Sequence, residues 1–181
     1  ALKTFINNKR WKNVPIFLRT GKKLPTKVTE IVIHFKNNKN IFNNFSNKSS
    51  NLLVIRIQPN EGILLKFDIK KPGEGFKVIN ENLDFYYSDL SKEKLMNSYE
   101  RLLIDVINGD TMLFSRGDCV EEAWKYIDKL SNEIKRNDKI KVYGYKCGTW
   151  GPENSNNLFE KGDDWRYPCK NLVNDGGFCE L

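Results

Sequence analysis

The stretch LLVIRIQPNEGILLKFDIK, residues 52–70, decides how the rest of the chain is interpreted. Its first part is rich in β-branched residues. It places Arg56 and Gln58 on one face of a strand, with Ile55 and Ile57 on the other. Pro-Asn-Glu-Gly then interrupts the apolar run, and a second β-type run follows. The pattern predicts a β-hairpin and therefore an antiparallel sheet.

Shorter segments on both sides of this hairpin predict further strands. EIVIHFK, residues 30–36, alternates isoleucine and phenylalanine with more polar residues, which predicts a strand whose Ile31 face is the drier one. The remaining predicted strands are residues 15–19, 76–79 and 83–88, the last two separated by a turn. The Asn- and Lys-rich segment 37–51 is predicted to be a loop.

Two amphipathic helices are predicted after the strands. In the first, residues 95–107, apolar side chains recur on one face, and Gly109 is placed to end the helix. The second is predicted to begin at Asp118 as N-cap, with Glu121 completing a capping box. Tyr99 and Trp124 on these helices are expected to be core aromatics. The order of elements predicts an α+β fold, a largely antiparallel sheet with helices packed on one face.

Composition limits the classes of function. The 181 residues are 39% hydrophobic, enough for one globular domain, and no run of about 18 apolar residues predicts a membrane span. The N-terminus lacks the apolar core of a signal peptide. The first residue is not methionine, so we expect a fragment. The four cysteines, Cys119, Cys147, Cys169 and Cys179, form no CxxC pair, and with one histidine in the chain we expect no metal site and reduced thiols in a cytoplasmic protein.

The formal charge of +7 leaves a basic nucleic-acid-binding module as an alternative. Its lysines are scattered among asparagines rather than interleaved with aromatic residues, so we expect no nucleic-acid partner.

A concentration of cations follows the predicted strand at residues 15–19. VPIFLRTGKKLPTK, residues 14–27, ends an apolar run at Gly21, which is expected to turn the backbone sharply. Lys22 and Lys27 are then either solvated loop cations or two groups that project toward one anionic ligand. Spacing alone favours the solvated interpretation.

Four motifs in order resemble the C-terminal domain of glucose-6-phosphate dehydrogenase. They are VPIFLRTGKKLPTK, LVIRIQPNEGI, YERLLIDVINGDTMLFSRGDCVEEAW and GTWGP. The resemblance implies a domain over residues 1–165 and leaves 166–181 as an unmatched tail. It also implies an enzyme that oxidises glucose 6-phosphate to 6-phosphogluconolactone, the first step of the pentose phosphate pathway. NADP would be bound mainly by an N-terminal Rossmann domain that also holds the histidine base, and the C-terminal sheet would form a homodimer or part of a homotetramer.

The resemblance assigns substrate contacts to Lys22 and Lys27, with Gln58 as a weaker candidate. It assigns no catalytic residue to this chain, because the single histidine, His34, lies in a predicted strand and no GxGxxG motif follows a strand. The chain alone is therefore expected to be inactive.

Animal-type members of the family also bind a second, structural NADP in this domain. Arg19, Arg56, Lys66 and Asp84 match that site, but Val28, Val32 and Trp150 replace cations there and Leu64 replaces an aromatic residue. Phosphate binding needs those charges, and the motifs GTWGP and LRTGKKLPTK look more like the bacterial form. The structural site is therefore predicted to be absent. Arg56 is left open as an ion-pair partner or a site residue.

Overall fold

The computed structural model describes residues 1–36, 51–73, 75, 77–90, 96–160 and 163–168. The chain forms two compact units. We call them the sheet unit, which comprises Ala1–Lys92 and Tyr145–Leu181, and the helical unit, Glu93–Gly144.

The sheet unit contains two antiparallel sheets. The small one pairs β1 (Leu2–Phe5) with β2 (Pro15–Leu18), and the large one is ordered β3 (Thr29–His34), β4 (Leu52–Gln58), β5 (Gly62–Lys70) and β6 (Val78–Tyr86). Sequential strands are neighbours throughout the large sheet, and β4 and β5 form the predicted hairpin. The predicted loop over 37–51 lies outside the described residues except for Asn51.

One prediction about the last strand is wrong. Instead of two short strands around a turn, β6 is continuous and pairs with the whole length of β5. Asn80, which falls between the two predicted strands, donates a hydrogen bond from Nδ2 to Oδ1 of Asp68 at 2.8 Å. Pairing with β5 and this side-chain bond hold the polar segment extended, where its composition alone suggested a turn. Strand β1 was not predicted.

The two faces of the large sheet differ in exposure, in the opposite sense to the prediction. Residues that pair across antiparallel strands share a face. The face that carries Val54 and Leu64 is buried, with 0% and 7% exposure. On the other face Ile31 is 49% exposed, so the prediction that its side is drier is wrong. Glu30, on the buried face, accepts a hydrogen bond from Nε of Arg166, and so the segment around Arg166 reaches this side.

We call the exposed side of the large sheet the apolar face. It comprises Ile31, Ile33, Leu53, Ile55, Ile57, Ile63, Leu65, Phe67, Leu83 and Phe85. Leu83 is 60% exposed and Ile57 is 44% exposed, so large apolar side chains of this face meet solvent. Such a patch marks a surface that another molecule can cover.

The helical unit contains α1 (Ser98–Asn108) and α2 (Gly117–Arg136). Asn97 and Glu100 form a capping box at the start of α1, and Gly109 ends it in the left-handed region with φ 69°, as its position predicted. Helix α2 begins before Asp118, and its N-cap, Arg116, makes no side-chain cap bond.

The prediction that Asp118 caps α2 is therefore wrong. It lies in the first turn, where a carboxylate is favourable near the positive end of the helix dipole, and it forms an ion pair with Arg116 at 2.7 Å. The prediction that Tyr99 and Trp124 are core residues is also wrong, since they are 79% and 63% exposed. Their helices do not pack along each other, so neither apolar stripe is covered by the other helix.

The α+β class with antiparallel strands is confirmed. Within the described ranges, no helix has both the length and the apolar character needed to span a membrane.

Candidate functional site

The candidate site is the connection between β2 and β3, which we call the lysine loop (residues 19–28). It carries Lys22 and Lys27, and both residues are exposed. Among the described residues, neither ammonium group has an ion-pair or hydrogen-bond partner. Both cations are therefore available to a ligand.

The backbone of this loop is held by residues more than a hundred positions away in sequence. The amide of Lys22 donates to the hydroxyl oxygen of Tyr145 at 3.1 Å, and the same hydroxyl donates to the carbonyl oxygen of Lys22 at 2.8 Å. The next carbonyl, that of Lys23, accepts from the amide of Gly148 at 2.8 Å. Two successive residues of the loop are thus fixed by the same distant segment.

Gly21 has a different role from the one predicted. It is not among the glycines with positive φ; the left-handed residue of the loop is Lys23, with φ 55°. A Cβ atom at Gly21 would lie 2.8 Å from the hydroxyl oxygen of Tyr145 and 3.2 Å from Cδ2 of Leu24. The glycine is therefore required for space beneath Tyr145, and the expectation that it turns the chain is wrong.

Gln58 lies beside the end of the lysine loop. It pairs with Thr29 across β3 and β4, and its Nε2 donates to Oγ1 of Thr29 at 3.0 Å. Lys27 is two residues before Thr29 in sequence, so the fold brings Gln58 to the same end of the loop. The side chain of Gln58, which carries the amide oxygen, is exposed.

Arg19, the first residue of the loop, is enclosed by aromatic rings. The carbon at the centre of its guanidinium lies 5.0 Å from the ring of Trp150, 4.7 Å from Trp165 and 5.0 Å from Tyr167. Its Nη2 donates to the backbone carbonyl of Arg166 at 2.9 Å. Burial lowers the pKa of this guanidinium, and the nearby Tyr167 opposes that shift. The guanidinium of Arg19 is therefore already bound by other residues of the sheet unit.

Arg56 is likewise occupied, by an ion pair. Its two terminal nitrogens lie 2.5 and 3.0 Å from the two carboxylate oxygens of Asp84, and its guanidinium lies 4.7 Å from the ring of Tyr86. Burial acts to lower the pKa of Arg56, but the hydrogen bond and charge of Asp84 outweigh it, and the pKa is raised. Of the two interpretations left open for Arg56, these contacts favour the ion pair.

The remaining candidate for a structural NADP site is Lys66, in the middle of β5 opposite Leu52 and Asn82. Leu64, which replaces an aromatic residue, is buried, and Trp150 is one of the rings around Arg19. The absence of that site stays a prediction.

Sequence reasoning missed Tyr145 and the aromatic rings that follow it. The GTWGP motif includes Trp150 and drew attention to it. Nothing near Tyr145 in the sequence indicates a contact with a loop 123 positions earlier. Arg166 and Tyr167 begin the segment interpreted as an unmatched tail, yet both contact the region around Arg19 and β3.

The other chemically notable residues are dispersed. His34 is exposed at the end of β3. Cys119 and Cys147 are exposed free thiols, and the other two cysteines lie outside the described residues. In the described part of the chain, no three acidic, histidine or cysteine side chains gather as a metal site would require.

Comparison with protein families matches residues 1–166 to "Glucose-6-phosphate dehydrogenase, C-terminal domain". The chain belongs to this family. Two relatives, both named glucose-6-phosphate 1-dehydrogenase, are 44% identical in Treponema pallidum (strain Nichols) and 46% identical in Aggregatibacter actinomycetemcomitans. The first alignment covers 100% of this chain and 36% of the relative, and the second covers 93% and 34%. The chain thus spans about a third of the length of these members of the family.

Two solved structures are also similar. The crystal structure of glucose-6-phosphate 1-dehydrogenase from Mycobacterium avium is 32% identical with a TM-score of 0.72, over 93% of this chain and 35% of that one. A glucose-6-phosphate dehydrogenase in complex with its substrate glucose 6-phosphate is 34% identical with a TM-score of 0.71, over 83% and 31%. Both likenesses place the described fold within the dehydrogenase family.

Proposed function

We propose that this chain is the C-terminal substrate-binding and dimerisation part of an NADP-dependent glucose-6-phosphate dehydrogenase. The complete enzyme would oxidise glucose 6-phosphate to 6-phosphogluconolactone, the entry step of the pentose phosphate pathway. The observation that carries the proposal is the lysine loop. The hydroxyl of Tyr145 fixes its backbone at Lys22, and the ammonium groups of Lys22 and Lys27 have no partners among the described residues.

Lysine suits a phosphorylated sugar as a ligand. Each ammonium group offers three hydrogen-bond donors and a positive charge, so it can bind sugar hydroxyls or phosphate oxygens. A charge-assisted hydrogen bond contributes about 1.5 to 3 kcal/mol. Lys22 and Lys27 would therefore supply binding and orientation of the substrate, with Gln58 adding a neutral polar contact at the end of the loop.

The redox step is assigned to the part of the relatives that this chain does not match, about two thirds of their length. Abstraction of a hydroxyl proton needs a base such as histidine, and His34 is exposed on a strand outside the lysine loop. All strand pairings in the described ranges are antiparallel, whereas dinucleotides bind at the carboxyl ends of parallel strands in a Rossmann domain. This arrangement does not fit catalytic NADP, and the chain alone is expected to be inactive.

Dimerisation is assigned to the apolar face. Its residues come from all four strands of the large sheet, and several remain between 38% and 60% exposed in the single chain. A second copy of the same surface would bury them against each other, as in a symmetric homodimer or a pair within a homotetramer.

A cytoplasmic location completes the proposal and is supported by the exposed free thiols of Cys119 and Cys147. The domain is proposed to extend over residues 1–165. The family match favours this function over a nucleic-acid-binding module. A gel-shift titration at two salt concentrations separates them, because nucleic-acid binding would weaken steeply with salt.

The direct test is an assay of the complete protein that includes this chain. Reduction of NADP should depend on glucose 6-phosphate and should be far slower with glucose, which lacks the phosphate. Equal rates with the two sugars, or no reduction with either, would contradict the proposal.

A further inference from the structure

Residues 145–150, which we call the strap, contact three residues of the lysine loop. The hydroxyl of Tyr145 makes two hydrogen bonds with the backbone of Lys22. The amide of Gly148 donates to the carbonyl of Lys23, and the ring of Trp150 lies against the guanidinium of Arg19. The strap therefore contacts Lys22 and residues on both sides of it in the loop.

We propose that Tyr145 is a positioning residue for Lys22: its hydroxyl holds the backbone of Lys22 in one conformation, so that the ammonium group meets the phosphorylated sugar without first ordering the loop. This inference rests on the proposed function, since it gives the loop a ligand. Tyr145 itself does not need to touch that ligand.

The hydrogen-bond geometry supports this role. One oxygen atom accepts from the amide of Lys22 at 3.1 Å and donates to the carbonyl of the same residue at 2.8 Å. Because the two backbone groups flank the φ and ψ angles of Lys22, binding both to a single atom restricts both rotations. The missing side chain at Gly21 leaves room for the hydroxyl, which would lie 2.8 Å from a Cβ atom there.

The neighbouring residue reinforces the same conformation. Lys23 has φ 55°, a left-handed conformation that is unfavourable for a residue with a side chain. Its carbonyl accepts from the amide of Gly148, which stabilises this geometry from outside the loop. A loop held in this way loses less conformational entropy when it binds a ligand.

The bonds to Tyr145 are more important for positioning than for stability. Tyr145 is 40% exposed, and Lys22 is exposed as well. If the hydroxyl were removed, water could reach the amide and carbonyl of Lys22, so the fold would lose little while the loop would gain freedom.

The first experiment compares Tyr145→Phe with Tyr143→Phe in the complete protein that includes this chain. Tyr143 is a matched control, since it is 46% exposed and makes no hydrogen bond among the described residues. We expect Tyr145→Phe to raise the KM for glucose 6-phosphate about three- to tenfold, because two hydrogen bonds of ordinary strength are lost. The kcat and the KM for NADP should stay within about twofold, and Tyr143→Phe should leave all three constants unchanged.

A purely structural role for Tyr145 would give a different result. Partial unfolding lowers the active fraction and therefore kcat, while the KM for glucose 6-phosphate stays constant. Hydrogen exchange reports on the loop directly: the amide of Lys22 should exchange faster in folded Tyr145→Phe protein than in the parent. An unchanged exchange rate, or a fall in kcat without a rise in KM, would overturn the positioning role.

A double-variant cycle separates this inference from the proposed function. If Lys22→Ala alone leaves the KM for glucose 6-phosphate unchanged, the proposed function of the loop fails. If Lys22→Ala raises that KM and Tyr145→Phe does not, only the positioning role fails. When both hold, Tyr145→Phe should have a much smaller effect in the Lys22→Ala background, since its effect acts through the ammonium group that Lys22→Ala removes. An equal effect in both backgrounds would show that Tyr145 acts independently of Lys22.

Discussion

Arg56 on β4 reaches across the intervening strand β5 to form a two-pronged ion pair with Asp84 on β6, with nitrogen–oxygen distances of 2.5 and 3.0 Å. The residue of β5 that pairs with Arg56 is Gly62, which has no side chain to block the path. The side chains of the arginine and the aspartate are only 14% and 19% exposed. This pair ties three strands together at the end of the sheet nearest the lysine loop.

We predict that Asp84→Asn lowers the free energy of unfolding by about 1 to 3 kcal/mol, because it leaves the charge of Arg56 partly buried and without its partner. Urea unfolding followed by circular dichroism measures the change. The matched control is Glu122→Gln in the exposed pair between Glu122 and Lys125, whose side chains are 72% and 67% exposed. That change should cost less than about 0.5 kcal/mol. Equal losses for the two variants would argue against a structural role for Arg56 and Asp84.

The raised pKa of Arg56 fixes the expected pH dependence of this contribution. A cation whose pKa is higher in the folded state stabilises the fold below its unfolded pKa, and the contribution is lost only as the pH rises through the folded pKa. For arginine both values lie far above neutral pH. The free-energy difference between the parent and Asp84→Asn should therefore be the same at about pH 7 and about pH 9, and a marked decrease at the higher pH would contradict the assignment.

Gly62 should tolerate no side chain. A Cβ atom there would lie 2.3 Å from the backbone carbonyl oxygen of Phe85, which can move only if β5 and β6 separate. We predict that Gly62→Ala destabilises the sheet unit by about 3 kcal/mol, measured as a shift in the urea midpoint. Gly117→Ala serves as the control, since a Cβ there meets nothing within 4 Å. A neutral Gly62→Ala would show that the two strands pack less tightly than described.

The apolar face should mediate self-association. Leu83→Lys places a charge on a side chain that is 60% exposed on this face, and burying that charge in a dimer would be costly. We expect light scattering to show a shift toward the monomer for Leu83→Lys. Leu90→Lys provides a comparison, since Leu90 is 70% exposed but lies outside the apolar face. Leu90→Lys should associate as the parent does. If Leu83→Lys also associates as the parent does, another surface forms the dimer.

The sequence predicted most of the large sheet because its strands are sequential neighbours, and local alternation and turn residues are enough to indicate a meander. It also located Lys22 and Lys27 on one loop. It did not show what holds that loop, because Tyr145 and Lys22 are 123 positions apart and no local pattern encodes such a pairing. Nor could alternation show which face of the sheet is exposed, since that depends on what covers Val54 rather than on the strand itself.

The central claim is that Lys22 and Lys27 bind glucose 6-phosphate, and the most direct test is steady-state kinetics of Lys22→Ala and Lys27→Ala in the complete protein that includes this chain. Each variant should raise the KM for glucose 6-phosphate about ten- to a hundredfold, the effect of losing one charge-assisted hydrogen bond. The KM for NADP should stay within about twofold. Lys129→Ala, which removes an exposed lysine of α2, should change neither constant. An unchanged KM for glucose 6-phosphate, or equal rises for both substrates, would contradict the account.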